Sequence, residues 1–141
     1  MHASMDVARF LIEGREEQYL RHFFRDFAHN PEAIPEEEVQ RYVMQMRQPG
    51  NLRASLNHYG FIPEKSAQLA DFAKRQLGIP MLAWAGRRSF GEHCIQSARA
   101  LSPLARGGVI EECGHWVFEE QPDFIVGECE KFWASAAARA P

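Results

Sequence analysis

In the first half of the chain, apolar positions recur every three to four residues. In SMDVARFLIEGREEQYLRHFFRDFAHN the residues Val7, Phe10, Leu11, Tyr19, Leu20, Phe23, Phe24 and Phe27 keep helical spacing. That spacing predicts a helix opened by Ser4 as N-cap and stopped at Asn30-Pro31. A second helix is expected over PEEEVQRYVMQMRQ, with Pro35 at its first turn, Glu36, Glu37 and Glu38 at its positive end, and Val39, Tyr42, Val43 and Met46 on one face. The glutamate run needs no role beyond a solvated helix start, and Pro49-Gly50 ends the element. NLRASLNHYGFI predicts a short third helix stopped near Gly60, and PEKSAQLADFAKRQLG a fourth from Pro63 to Gly78.

The period changes at Gly78. IPMLAWAG is a short, continuously apolar run bounded by Pro and Gly, as expected of a strand buried on both faces of a parallel sheet, here Met81 to Ala85. A helix over Glu92 to Leu104 follows, then a second strand in GVIEEC, Val109 to Glu112. The last helix lies in QPDFIVGECEKFWASAAAR, where Phe124, Ile125, Cys129 and Phe132 form an apolar face. Strand, helix, strand, helix argues for a parallel α/β layer, yet two strands fall short of the roughly four to six that sheets usually have. The expected organisation is a helical segment, 1–78, followed by part of an α/β domain, 79–141. No internal repeat or low-complexity linker occurs.

Composition narrows the class. A chain of 141 residues, 45% hydrophobic and 25% charged, fits a soluble globular domain. Its longest apolar runs are far below the roughly 20 residues that a spanning helix needs. Met1 to Leu11 carries charge where a signal peptide would be apolar. A cytoplasmic protein with no membrane role is expected. The net charge of −3, with no basic cluster beyond Arg87-Arg88, gives no nucleic-acid footprint and points to small molecules or proteins as partners. Cys94, Cys113 and Cys129 are an odd set without metal-ligand spacing, so reduced thiols are expected, with no metal and no cofactor.

His115 follows the second strand, and parallel sheets place functional residues beyond the carboxyl ends of their strands. Gly114 permits a sharp turn, Trp116 can exclude water on one side, and Gln121-Pro122 starts the helix behind. This suits a general base. The competing reading is a loop histidine without chemistry.

The stretch ECGHWVFEEQPDFIVGECEKF resembles the last catalytic loop and helix of α/β-hydrolases of the epoxide hydrolase and haloacid (fluoroacetate) dehalogenase-like branch. GIPMLAWAGRRSFGEHC is similar to that family's penultimate strand and the loop after it. RQPGNLRASLNHYGFI and FLIEGREEQYLRHFFRDFAHNP are similar to helices of its cap. The resemblance covers nearly the whole chain in the family's order. It implies the C-terminal half of such an enzyme: a cap-derived segment at 1–78 and the last two strands of the core at 79–141.

The family's nucleophile is an aspartate on a sharp strand-to-helix turn, and no Gly-x-Asp-x-Gly or Gly-x-Ser-x-Gly occurs here. Where many members carry the acid that orients the histidine, this chain has Arg87-Arg88-Ser89, and a basic pair cannot orient an imidazole. In members with a Ser-Phe-Gly loop the acid often comes instead from the segment before the cap, which would lie outside this chain; Glu92 is a remote local substitute.

The resemblance implies a two-step reaction in which an aspartate forms an alkyl ester and a histidine activates water to hydrolyse it. His115 would be the base. Tyr59 would donate from the cap to the epoxide oxygen or halide, against the alternative of a core tyrosine. Trp116 and Phe118 would line the pocket. Trp84 reads as strand core, His58 as surface, and the cysteines as small buried hydrophobes. Three functions compete. The first is half of an epoxide hydrolase-like enzyme, acting on a small molecule only when completed by a nucleophile-bearing half. The second is a non-catalytic interaction protein derived from a hydrolase cap, self-associating through an exposed sheet edge. The third is an independent hydrolase using Cys113 or Ser89 with His115.

Overall fold

A computed structural model of the chain describes residues 2–60, 62–72 and 74–137. Five helices come first: α1 (His2–Ile12), α2 (Glu16–Phe27), α3 (Glu36–Met46), α4 (Asn51–Gly60) and α5 (Ile62–Phe72). They are followed by β1 (Met81–Gly86), α6 (Glu92–Leu101), β2 (Ala105–Ile110), the single turn α7 (Val117–Glu120) and α8 (Pro122–Ala137). The chain packs into two compact units. One holds 1–26 and 34–71; the other holds 27–33 and 72–141.

In the first unit the expected long opening helix is two. Gly14 takes φ 81, which only glycine adopts without strain, and ends α1. Glu16 then opens α2, its carboxylate accepting the Gly14 N–H at 2.9 Å. Ser4 lies inside α1 rather than capping it. The break resets the helical phase, so the apolar spacing of α1 does not join that of α2. Ile12 is buried with Leu52 and Leu56 of α4, flanked by Ala8, Tyr19 and Met46, while Phe10 is 77% exposed and Val7 and Leu11 face outward too. Helices α2 and α3 meet through Phe24 and Tyr42, whose rings lie 5.2 Å apart, with Leu20, Val39 and Val43 buried. Glu36 is more than a solvated helix start. It forms a bidentate pair with Arg21, which holds its carboxyl down at about 2.

The second unit is a right-sized piece of an α/β layer. β1 and β2 pair in parallel, Met81 opposite Ala105 through Gly86 opposite Ile110, with α6 as the connection. Both faces are covered. Ile95 and Ala98 of α6 pack on Ala105, Met81 and Ala83, and on the other face Ile125 of α8 packs with Ile110, Cys113, Trp84, Val117 and Cys129. Trp84 stands edge-on to Phe124 at 4.9 Å, consistent with strand core.

Several boundaries differ from the sequence expectation. The fourth helix stops at Phe72 instead of Gly78; the Leu77 amide instead donates to the Leu101 carbonyl at 2.7 Å. Helix α6 stops at Leu101, before Leu104, because buried Ser102 turns its hydroxyl to the Ile79 carbonyl at 2.7 Å. β2 starts four residues early and excludes Glu112. Gly107 and Gly108 look like breakers, yet the strand needs them. A Cβ on Gly107 would lie 1.9 Å from the Ala83 carbonyl oxygen, and one on Gly108 would lie 3.1 Å from the Trp84 ring. Among the described residues no helix is long and apolar enough to cross a membrane.

Candidate active site

Three stretches of the second unit converge beyond the ends of β1 and β2, and glycines let them touch. A Cβ on Gly86 would lie 2.0 Å from the Gly114 carbonyl oxygen, and one on Gly114 would lie 2.3 Å from that of Phe27. The backbone ladder runs on past the strands, with the Arg87 N–H donating to Ile110 at 2.9 Å and the Arg88 N–H to Cys113 at 3.2 Å. The His115 N–H donates to the Phe27 carbonyl at 2.8 Å.

Glu120, in the single turn α7, fastens this junction. One carboxylate oxygen accepts the amides of His29 at 2.7 Å and Asn30 at 3.1 Å; the other accepts those of Gly114 at 2.9 Å and Trp116 at 3.2 Å. Four orphan donors are satisfied by one charge, and the residues on both sides of His115 are held. A glutamine here would present an NH2 group to two of those donors. Glu120→Gln is therefore expected to lower unfolding stability by about 2 kcal/mol, read by chemical denaturation. A change below about 0.5 kcal/mol, the ordinary range for surface substitutions, would refute the clip.

The His115 side chain is exposed and enclosed laterally by rings: Trp116 at 4.9 Å, Phe90 at 6.0 Å and Phe27 at 6.2 Å. Its Nδ1 lies 3.0 Å from the Ser89 hydroxyl. Two nearby acids are engaged elsewhere. Glu92 pairs with Arg87 at 3.6 Å and Glu111 binds the same guanidinium at 2.9 Å, so the local substitute expected at Glu92 is bound to arginine instead. Ser89, directly after a basic pair that cannot serve, is the side chain bonded to the imidazole.

His115, Trp116 and Phe118 border one cavity of about 550 Å³, shared with Leu82, Trp84 and Cys94. Phe118 is 71% exposed at its rim. Tyr59 belongs to the first unit, at the end of α4, half exposed and edge-on to His58 at 5.9 Å. Cys113 is fully buried, and burial, reinforced by Glu120, pushes its thiol up to about 11. It stays protonated near neutral pH, which argues against a nucleophilic role. Among the described residues no three His, Cys, Asp or Glu side chains are grouped to hold a metal ion.

Sequence reasoning missed Glu120, which was visible only as the second glutamate of a motif, where an acid in a helical turn reads as solvated. Ser89 was paired with His115 only as an alternative nucleophile.

No family model matches the chain. It is 34% identical over 133 residues to a soluble epoxide hydrolase of Corynebacterium sp. (strain C12), covering 92% of this chain and 46% of that protein. Among solved structures it superposes on the epoxide hydrolase CorEH without ligand with a TM-score of 0.85 at 32% identity, covering 93% of this chain and 47% of that one. It superposes on wild-type Cfl2 from Burkholderia cenocepacia with a TM-score of 0.80 at 30% identity, covering 90% and 44%. The chain spans about half the length of the curated relative it matches.

Proposed function

Because the chain belongs to the α/β-hydrolase superfamily, in its epoxide hydrolase-like branch, we propose that it is the C-terminal half of a hydrolase acting through an alkyl-ester intermediate. In this reading 1–78 derives from the cap and 79–141 from the core, with 27–33 packed onto the core portion. The substrate is a small epoxide or a carbon–halogen compound.

An aspartate supplied by the other half attacks a substrate carbon, and the C–O or C–halogen bond breaks as the ester bond forms. Tyr59 donates its O–H to the oxygen or halide that gains charge. His115 then takes a proton from water, the hydroxide adds to the ester carbonyl, and collapse frees the aspartate and the product alcohol. Trp116 and Phe118 line the pocket. The observation that carries the reading is the His115 loop, fixed at the strand ends by Glu120 and Phe27 and opening on the 550 Å³ cavity.

On this reading the chain alone lacks the nucleophile. It is expected to turn over none of styrene oxide, fluoroacetate or p-nitrophenyl acetate, and to gain activity on the first or second when co-produced with a nucleophile-bearing half. Turnover by the chain alone would contradict the reading, and so would inactivity of the reconstituted pair. A non-catalytic docking role draws support from the two-stranded sheet, whose outer edges have no strand partner among the described residues. It predicts concentration-dependent self-association in sedimentation, with no activity gained on reconstitution.

A further inference from the structure

A side chain that works from a loop is placed first by the backbone of that loop, and the reach of its ring follows from where the backbone stands. The loop that carries His115 is closed at its base, where the Gln121 side-chain amide donates to the Glu112 carbonyl at 2.9 Å. Within it three successive amides are pinned. Gly114 and Trp116 donate to one Glu120 oxygen, and His115 between them donates to the Phe27 carbonyl. The return path is local: the Glu119 and Glu120 amides both donate to the Trp116 carbonyl, at 3.0 and 2.8 Å, and this single turn folds the Glu120 side chain back onto the loop. Its second oxygen takes the His29 and Asn30 amides, just beyond the carbonyl that receives the His115 amide. One carboxylate therefore holds both the histidine's neighbours and the segment on which the histidine itself rests.

We infer that Glu120 is a positioning residue of His115: by seating the amides on either side of the histidine together with segment 29–30, it fixes where the imidazole stands at the border of the cavity. The catalytic consequence rests on the function proposed above. The seat does not. Each of these bonds runs from a backbone N–H to a charged acceptor, which makes it stronger than a bond between neutral groups. A glutamine keeps the length of the side chain but turns an NH2 group onto one pair of amides, so one side of the seat is lost.

The first test is amide exchange of the full chain, read by NMR. Global unfolding exposes every amide alike, so the β1–β2 ladder reports it, whereas a loosened seat acts locally. In Glu120→Gln the His29, Asn30, Gly114 and Trp116 amides should lose protection by about tenfold or more beyond any loss in the ladder. The second test uses the enzyme reconstituted with the part of the Corynebacterium relative that lies outside the match. Displacing a reacting group by about 1 Å costs on the order of a hundredfold, so Glu120→Gln should slow ester hydrolysis roughly ten- to a hundredfold and leave the alkylation rate constant unchanged. A role confined to stability would lower the amplitude of both steps and neither rate constant. Should Glu120→Gln unfold the chain, Glu120→Asp, which keeps the charge at a shorter reach, carries the same test. Equal loss of protection in ladder and seat, an unchanged hydrolytic rate constant, or equal slowing of both steps would overturn the inference. Selective loss of protection together with an inactive wild-type pair would support the seat and count against the proposed function instead.

Discussion

On the function proposed above, the His115→Gln variant completed by a nucleophile-bearing half is expected to stop after one turnover and accumulate a covalent adduct. The ester forms before the base is needed, so alkylation proceeds and hydrolysis does not. Glutamine cannot take a proton from water, and removal of a general base costs roughly 10²- to 10⁴-fold. The fold should tolerate the change, because what holds the loop is the backbone: the His115 amide on Phe27 and the flanking amides on Glu120. Intact-protein mass spectrometry reads the result and also identifies the substrate class. Ring opening adds the whole mass of an epoxide, whereas a displaced halide leaves an adduct lighter than the substrate by one hydrogen halide. Normal turnover with no adduct would make His115 a loop histidine and reduce the family likeness to one of fold.

Tyr59→Phe should fail at the opposite end of the cycle. A phenol O–H aimed at oxygen or halide strengthens its bond as charge develops, so its loss raises the barrier of alkylation by about 3 kcal/mol, or about a hundredfold in rate. Ester hydrolysis should be untouched, and single-turnover kinetics separates the two steps. The substitution is structurally mild, since Tyr59 is 50% exposed at the end of α4. A tyrosine that only packs would tolerate phenylalanine with both rates unchanged.

Local signals made the fold class legible. Helix α3 carries its own proline start, acidic first turn and apolar face, and β1 is a continuous apolar run between proline and glycine; neither depends on distant residues. The misreadings came where a distant partner decides. Gly107 and Gly108 look like breakers until Ala83 and Trp84 lie against them, so the first half of β2 was hidden. Gly14 lies between two stretches that each keep helical spacing, and its positive φ, with the Glu16 carboxylate on its amide, separates α1 from α2.

The site was legible to a similar depth. His115 was singled out because glycine, tryptophan and a following helix mark its loop. Glu120 was not assigned a role, because two of its four donors, His29 and Asn30, lie about ninety positions earlier in the chain. Ser89 bonds a ring twenty-six positions away across two loops, a pairing that no local pattern encodes.

Residues 27–33 pack with 72–141, although helices of the other unit flank them on both sides in sequence. The exchangeable part of this protein is therefore discontinuous. A chimera that took 1–78 from a relative in one piece would also exchange the segment whose backbone positions the Phe27 carbonyl and the His29 and Asn30 amides that anchor the His115 loop. Grafting 1–26 and 34–71 while retaining 27–33 would leave those anchors in place. In recombination terms the natural crossover points lie on either side of a seven-residue bridge, and an exchange that cuts at one boundary alone would disturb the seat of the His115 loop in the same step.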